Sequence, residues 1–217
     1  ILLFKNKRAM LSSLYQKIYL GDICARNNIK NDRVLNILIK KMAESVKQPL
    51  SYNRLKNVIV ATGSPISVPT TIDYVDYASD SWLILPMENE VGKLTEKEMQ
   101  KKYYFVDNGL LNLFLMNSET SLLENMVAVE LCRRFGKKNV FFLNAEKEID
   151  FIVPDGKLAI QVSYSIKNVN TYNREVPPLV KYAKAHQDWN CLLITYDEEG
   201  MEEGIPIVPV WKWLMEV

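Results

Sequence analysis

The apolar positions of this chain change period partway along it. Up to about residue 82 they recur at three- and four-residue steps, as in helices packed by one face. From about residue 140 they gather in short runs and in alternations two apart, as in strands. One all-α or all-β core cannot satisfy both, so the sequence predicts an α+β chain overall, helical first and α/β second. At 217 residues it has room for both parts.

The clearest stripe is Leu35, Leu38, Ile39, Met42 and Val46, capped by Asn31 or Asp32 and stopped by Pro49. Before it, Leu11, Leu14, Tyr15 and Ile18 predict an amphipathic helix over Met10–Tyr19 that Gly21 ends. Ser51 caps a third helix (Leu55, Ile59) running to Gly63. Ser67 caps a fourth, with Pro69 in its first turn and Ile72, Val75, Ala78 and Trp82 facing inward. Leu83–Met87 and Lys102–Val106 then read as a β-hairpin with a long polar tip. Helices followed by such a hairpin make a winged helix. Asp107-Asn108-Gly109 reads as a turn and Leu110–Leu115 as a short linking helix. The pattern breaks at Asn117, which sets the expected domains at 1–117 and 118–217.

The second part reads as a helix over Leu122–Phe135, strands at Val140–Leu143, Glu148–Val153 and Leu158–Tyr164, an amphipathic segment, and a strand at Cys191–Tyr196. The order is αβββαβ, closed by a strand at Ile205–Val208 and the segment Val210–Glu216. Strict alternation would place Ile149, Phe151 and Val153 on one face and Asp150 on the other. By the same rule Asp150, Gln161 and Ser163 line one face of a hairpin turning at Pro154-Asp155-Gly156. Glu130 stands seven residues after Leu123, at nearly the same helical angle, on an apolar stripe where a carboxylate needs a partner. Glu124 reads instead as a charge near the helix N-terminus.

Charge narrows the function classes. Lys and Arg number 27 against 26 Asp and Glu, so no net field draws the chain to DNA or anionic lipid. Basic residues gather locally, at Lys5, Lys7 and Arg8, at Lys101 and Lys102, and at Arg133, Arg134, Lys137 and Lys138. Clusters of this kind form a nucleic-acid interface only where they share a surface. The fourth helix, which would enter a major groove, carries Asp73, Asp76 and Asp80 and no Lys or Arg, so the winged helix reads as structural or protein-facing. The three cysteines are too scattered for a disulfide framework or a metal set, and His186, the one histidine, reads as a helix C-cap. No apolar run approaches the ~20 residues of a membrane span, so a cytoplasmic chain is expected. No G-x-x-x-x-G-K-[ST] phosphate loop occurs in these residues. The chain opens at Ile1 on a short apolar run that reads as the end of an element, which suggests a piece of a longer protein.

With these residues placed, the second part resembles the restriction-endonuclease-like fold, whose core carries a helix Glu, an Asp on the second strand and Glu-x-Lys on the third. The runs Leu123-Glu124-Asn125-Met126-Val127 to Glu130-Leu131, Glu148-Ile149-Asp150-Phe151, and Tyr104-Phe105-Val106-Asp107-Asn108-Gly109-Leu110 resemble the region after the nucleotide-binding core in prokaryotic AAA-type P-loop ATPases. There a winged helix precedes a nuclease-like domain. The resemblance implies that ATP and Mg²⁺ belong to an upstream region, that the upstream ATPase domain is a partner, and that DNA or a protein is the client. No membrane is implied, and oligomerisation is left open. It also implies a Mg²⁺ site at Asp150 and Glu130, but Gln161 stands where a second carboxylate belongs and Ser163 where the lysine belongs. Without that acid and cation, phosphodiester attack lacks a metal ligand and a charge stabiliser. Lys167 shares the parity of Ser163 as the remaining candidate cation. The expectation is a vestigial site in a non-catalytic regulatory or binding module. A metal-dependent nuclease and a winged-helix DNA-binding regulator are the alternatives.

Overall fold

Helix caps and stripes set the first part of the chain, as a computed structural model describes it over residues 6–145 and 148–215. The opening apolar run, Lys5 and Glu216 lie outside those residues. Helix α1 (Lys7–Gln16) starts where the Asn6 side chain accepts the Ala9 N–H. It does not end at Gly21. It widens into a π-helical segment, Lys17–Ala25, that runs through the glycine. In that i→i+5 register residues four and five apart stack, and the buried Tyr15, Tyr19, Ile23 and Cys24 follow that spacing. Glycine weakens a helix by only about 1 kcal/mol, and it favours a stop chiefly where it takes up the left-handed region. Asn28, at φ 53°, supplies it: Ile29 N–H bonds to Cys24 C=O and Asn28 N–H to Ala25 C=O.

Helix α2 (Asp32–Glu44) buries Leu35, Leu38, Ile39 and Met42 of the predicted stripe, and Val46 is buried in the turn that follows it. Strand β1 (Leu50–Ser51) leads into α3 (Tyr52–Ala61), capped by Ser51, and Ser67 caps α4 (Val68–Asp80). Val75 and Ala78 point inward as expected, whereas Trp82 is 65% exposed. The inward reading presumed that the helix continued. Instead Trp82 adopts φ 53°, Leu83 N–H closes on Ala78 C=O, and Leu83 takes the buried place. Strand β2 (Ile84–Met87), helix α5 (Leu94–Met99), strand β3 (Gln100–Phe105) and the short α6 (Asn108–Leu111) follow. The sheet order is β1-β3-β2, so β3 is central and buried from Tyr103 to Phe105. Lys102 is buried with them, which removes it from any surface patch.

The chain forms two compact units, one running to Pro86 and including Met99–Ser118, the other made of Met87–Glu98 and the chain from Glu119. The polar hairpin tip thus belongs to the second unit. There Glu90 N–H bonds to Phe142 C=O, Phe142 N–H to Glu88 C=O, and the Asn89 side chain engages both main-chain groups of Asn144.

In the second unit, α7 (Glu119–Phe135) precedes β4 (Phe141–Asn144), β5 (Glu148–Val153), β6 (Leu158–Val162), α8 (Val169–Ala185) and β7 (Asn190–Thr195). Strands β8 (Gly200–Glu202) and β9 (Ile205–Pro209) and helix α9 (Val210–Met215) complete it. The sheet order is β4-β5-β6-β7-β9-β8, with β6, β7 and β9 parallel and the outer pairs antiparallel. Helix α8 packs Val176, Leu179 and Val180 on Ile149, Ile152, Ala159, Cys191, Leu193 and Ile207. Ile149 and Ile152 share that core although they differ in parity, so the predicted alternation along β5 fails. Phe141 pairs with Ile152 but Leu143 with Ile149, and the resulting bulge puts Asp150 and Phe151 opposite one residue of β4.

The left-handed helix ends give an asymmetric expectation for neighbouring residues. Trp82→Gly, which suits the positive φ, leaves stability within about 1 kcal/mol. Leu83→Ala, which empties a buried site, costs about 2–5 kcal/mol in urea denaturation.

Candidate functional site

Asp150 sits where the β5–β6 ladder stops. The strands pair from Val153↔Leu158 to Phe151↔Ile160, and the next rung is made by side chains. Asp150 Oδ2 accepts the Val162 N–H at 2.9 Å, and Asp150 N–H donates to Gln161 Oε1 at 3.3 Å. The other end of that amide, Gln161 Nε2, donates to Glu175 Oε2 on α8. Glu175 Oε1 in turn accepts from Arg174 Nε at 2.7 Å. Asp150, Gln161 and Glu175 are each over nine-tenths buried, while the Arg174 side chain reaches solvent.

Two predicted site residues therefore meet, and a third, Glu175, joins them unforeseen. Its sequence signal is a carboxylate four residues before the buried Leu179, on the apolar stripe of α8. Burial, reinforced by the negative charge of Asp150, pushes the Glu175 carboxyl above its ordinary range against the pull of Gln161 and Arg174.

The remaining candidates are engaged elsewhere. Ser163 Oγ donates to the Ser165 carbonyl, turned into its own loop. Lys167 does not reach back toward Asp150; its Nζ is exposed and lies 3.9 Å from Glu198. Glu130 is not the buried acid of α7. Arg133 grips both of its oxygens at 2.7 and 2.6 Å, and Arg134 Nε adds a third bond at 2.6 Å. The Arg133 hydrogen bonds, with Arg134 behind them, hold its carboxyl at about 2 despite partial burial. Arg134 also donates to the Trp213 carbonyl and lies 4.5 Å over the Trp213 ring, so the Glu130 pairs help fasten the end of α7 to α9. The partner that a carboxylate on this helix needs comes from the two arginines one turn on. The buried acid of α7 is Glu124, in its second turn.

The basic clusters fare unevenly. Lys101 is half-buried and Lys102 wholly buried, Arg133 and Arg134 are paired with Glu130, and Lys137 and Lys138 are exposed after Gly136. His186 caps α8, its Nδ1 3.0 Å from the Tyr182 carbonyl and its ring stacked on Tyr182. A cleft of about 560 Å³, which Asp150 does not line, lies beyond the carboxyl ends of β6 and β7. Three of its four carboxylates are engaged: Glu198 by Ser165 and the Ile166 N–H, Glu199 by Lys212, and Glu202 by the Tyr172 hydroxyl.

The architecture is that of a mixed α/β protein, and among the described residues no helix is long and apolar enough to cross a membrane. The chain belongs to the family described as a domain of unknown function (DUF8612), whose profile matches residues 3–121. It is 30% identical to an uncharacterized protein of Methanocaldococcus jannaschii, across 95% of this chain and 50% of that protein. It is 28% identical to an uncharacterized protein of Haemophilus influenzae, across 97% and 53% respectively. The chain thus spans about half the length of these curated relatives. No solved structure matches it.

The hydrogen-bond chain ties Asp150 into the stability of the fold. Asp150→Ala leaves the buried Val162 N–H unpaired and lowers stability by about 1–3 kcal/mol, whereas Asp150→Asn, which keeps an acceptor, costs less. Glu175 and Glu130 respond to pH with opposite signs. The raised Glu175 carboxyl favours the fold when protonated, so its contribution is full below 4.5 and is lost as pH rises. Thermal midpoints of Glu175→Gln relative to the native chain are expected to improve from pH 4 toward neutrality. The depressed Glu130 carboxyl favours the fold when ionised, and that contribution is lost as pH falls from 4.5 toward about 2. Glu130→Gln abolishes this acid-side term.

Proposed function

We propose that this chain is the C-terminal part of an AAA-type P-loop ATPase, made of a winged helix and a restriction-endonuclease-like domain, and that it serves as a non-catalytic regulatory or binding module. The element order α7-β4-β5-β6-α8-β7 is compatible with the nuclease-like reading, and the three motif runs connect it to the ATPases. Relatives about twice as long leave room for a nucleotide-binding core. The observation that carries the non-catalytic reading is the chain from Asp150 through Gln161 to Glu175. A neutral amide stands at the second-carboxylate position, and Ser163 supplies no positive charge.

In this reading, ATP-driven motion of the upstream core is passed through the helices between Leu11 and Val46 to a client. The outer face of α4 presents Asp73, Asp76 and Asp80, all exposed, which repel a phosphate backbone and favour a protein client over duplex DNA. Arg133, Lys137 and Lys138 are the exposed cations of the expected nucleic-acid set, two of them clear of the Glu130 pair.

Two observations test the proposal. With Mg²⁺ or Mn²⁺, the chain is expected to leave supercoiled and single-stranded DNA intact; cleavage that Asp150→Asn abolishes would establish the nuclease instead. The gene upstream of Ile1 is expected to encode a G-x-x-x-x-G-K-[ST] loop, and an initiator Met directly before Ile1 would overturn the ATPase assignment.

A further inference from the structure

The groups around Asp150 do not fit the divalent ion that a nuclease of this fold would use. Such an ion needs several oxygens with lone pairs turned toward it, mostly from carboxylates. Here the Gln161 oxygen faces the Asp150 N–H, its nitrogen faces Glu175, and one Asp150 oxygen holds the Val162 N–H. Arg174 occupies the outer oxygen of Glu175, and Glu130 is held by two arginines.

We propose that Gln161 stands in for the metal ion: its amide is the bridge between the strand carboxylate Asp150 and the helix carboxylate Glu175, and the amide nitrogen at position 161 is what keeps this hollow free of metal. The inference rests on the non-catalytic reading above and adds to it a residue, Glu175, to which no part of the family resemblance points. A primary amide suits the position because it offers an acceptor at one end and donors at the other. Its acceptor end meets a peptide N–H and its donor end a carboxylate, so a single neutral group satisfies both neighbours.

A carboxylate at position 161 would have nothing to donate. It would confront Glu175 across a hydrogen-bond distance with Asp150 alongside, and acids that close cannot all ionise in a buried place without a cation between them. With Gln161 the backbone makes a metal-free clasp; with a carboxylate there it would leave three acids that a divalent ion between them could reconcile. The clasp also fixes α8 to the end of the β5–β6 pair, so the site acts as a joint between strand and helix.

The test is Mn²⁺ binding by the full chain, followed by calorimetry and by water-proton relaxation, for the native protein, Gln161→Glu, and Gln161→Glu combined with Glu175→Gln. The native chain is expected to take up no Mn²⁺ saturably. Gln161→Glu is expected to bind Mn²⁺ and to melt higher in its presence, and the double variant to bind roughly tenfold or more weakly. Should Gln161→Glu fail to fold in chelator, recovery of the fold on adding Mn²⁺ supports the inference and failure in both conditions overturns it. Folded Gln161→Glu without Mn²⁺ uptake, or a double variant that binds as tightly as the single one, overturns this inference and leaves the non-catalytic reading standing. Saturable Mn²⁺ binding by the native chain that Asp150→Asn removes would overturn the inference, and cleavage accompanying it would overturn the non-catalytic reading as well.

Discussion

Buried carboxylates must be answered by hydrogen bonds or charge, and in the second unit that demand is met by one continuous chain of groups. Val162, Asp150, Gln161, Glu175 and Arg174 hand hydrogen bonds from a strand end to a solvent-reaching guanidinium. The bulge at Asp150 and Phe151, the early end of the β5–β6 ladder and the seating of α8 all belong to this arrangement. Each member of this chain has a hydrogen-bond partner, and the Glu175 carboxyl, raised by burial and by the Asp150 charge, is the member under most electrostatic strain.

Local patterns were the legible part of the sequence. The α2 stripe and the Ser51 and Ser67 caps were readable because each depends on neighbours within a few residues. What escaped was set by longer-range competition or by rare backbone states. Asn28 and Trp82 end helices in the left-handed region usually taken by glycine, so glycine position and helical periodicity alone misplace the end of the first helix and the direction of Trp82. A bulge defeated the parity rule on β5, although Asp150 and Gln161 still meet.

The same contrast holds for charges. Helical angle singles out Glu130, whereas the buried acid of α7 is Glu124, and Arg133 and Arg134, in plain view in the sequence, engage Glu130. Lys102 looked like part of a basic wing because nothing local shows that β3 is the middle strand of its sheet. Glu175 comes from an element after the strands it joins, and only tertiary packing could pair it with Gln161. A site assembled across elements is thus the part of a protein least visible to periodicity.

The segment around Asn89 has a further consequence. It hydrogen-bonds alongside β4, at the margin of the six-stranded sheet, yet it is encoded between two strands of the other unit. Severing the polypeptide at Ser118 would strip β4 of that cover and leave its main-chain groups open to self-association, the usual hazard of a naked strand. The two units are therefore interwoven in the order of the polypeptide, and neither can be excised intact by one cut.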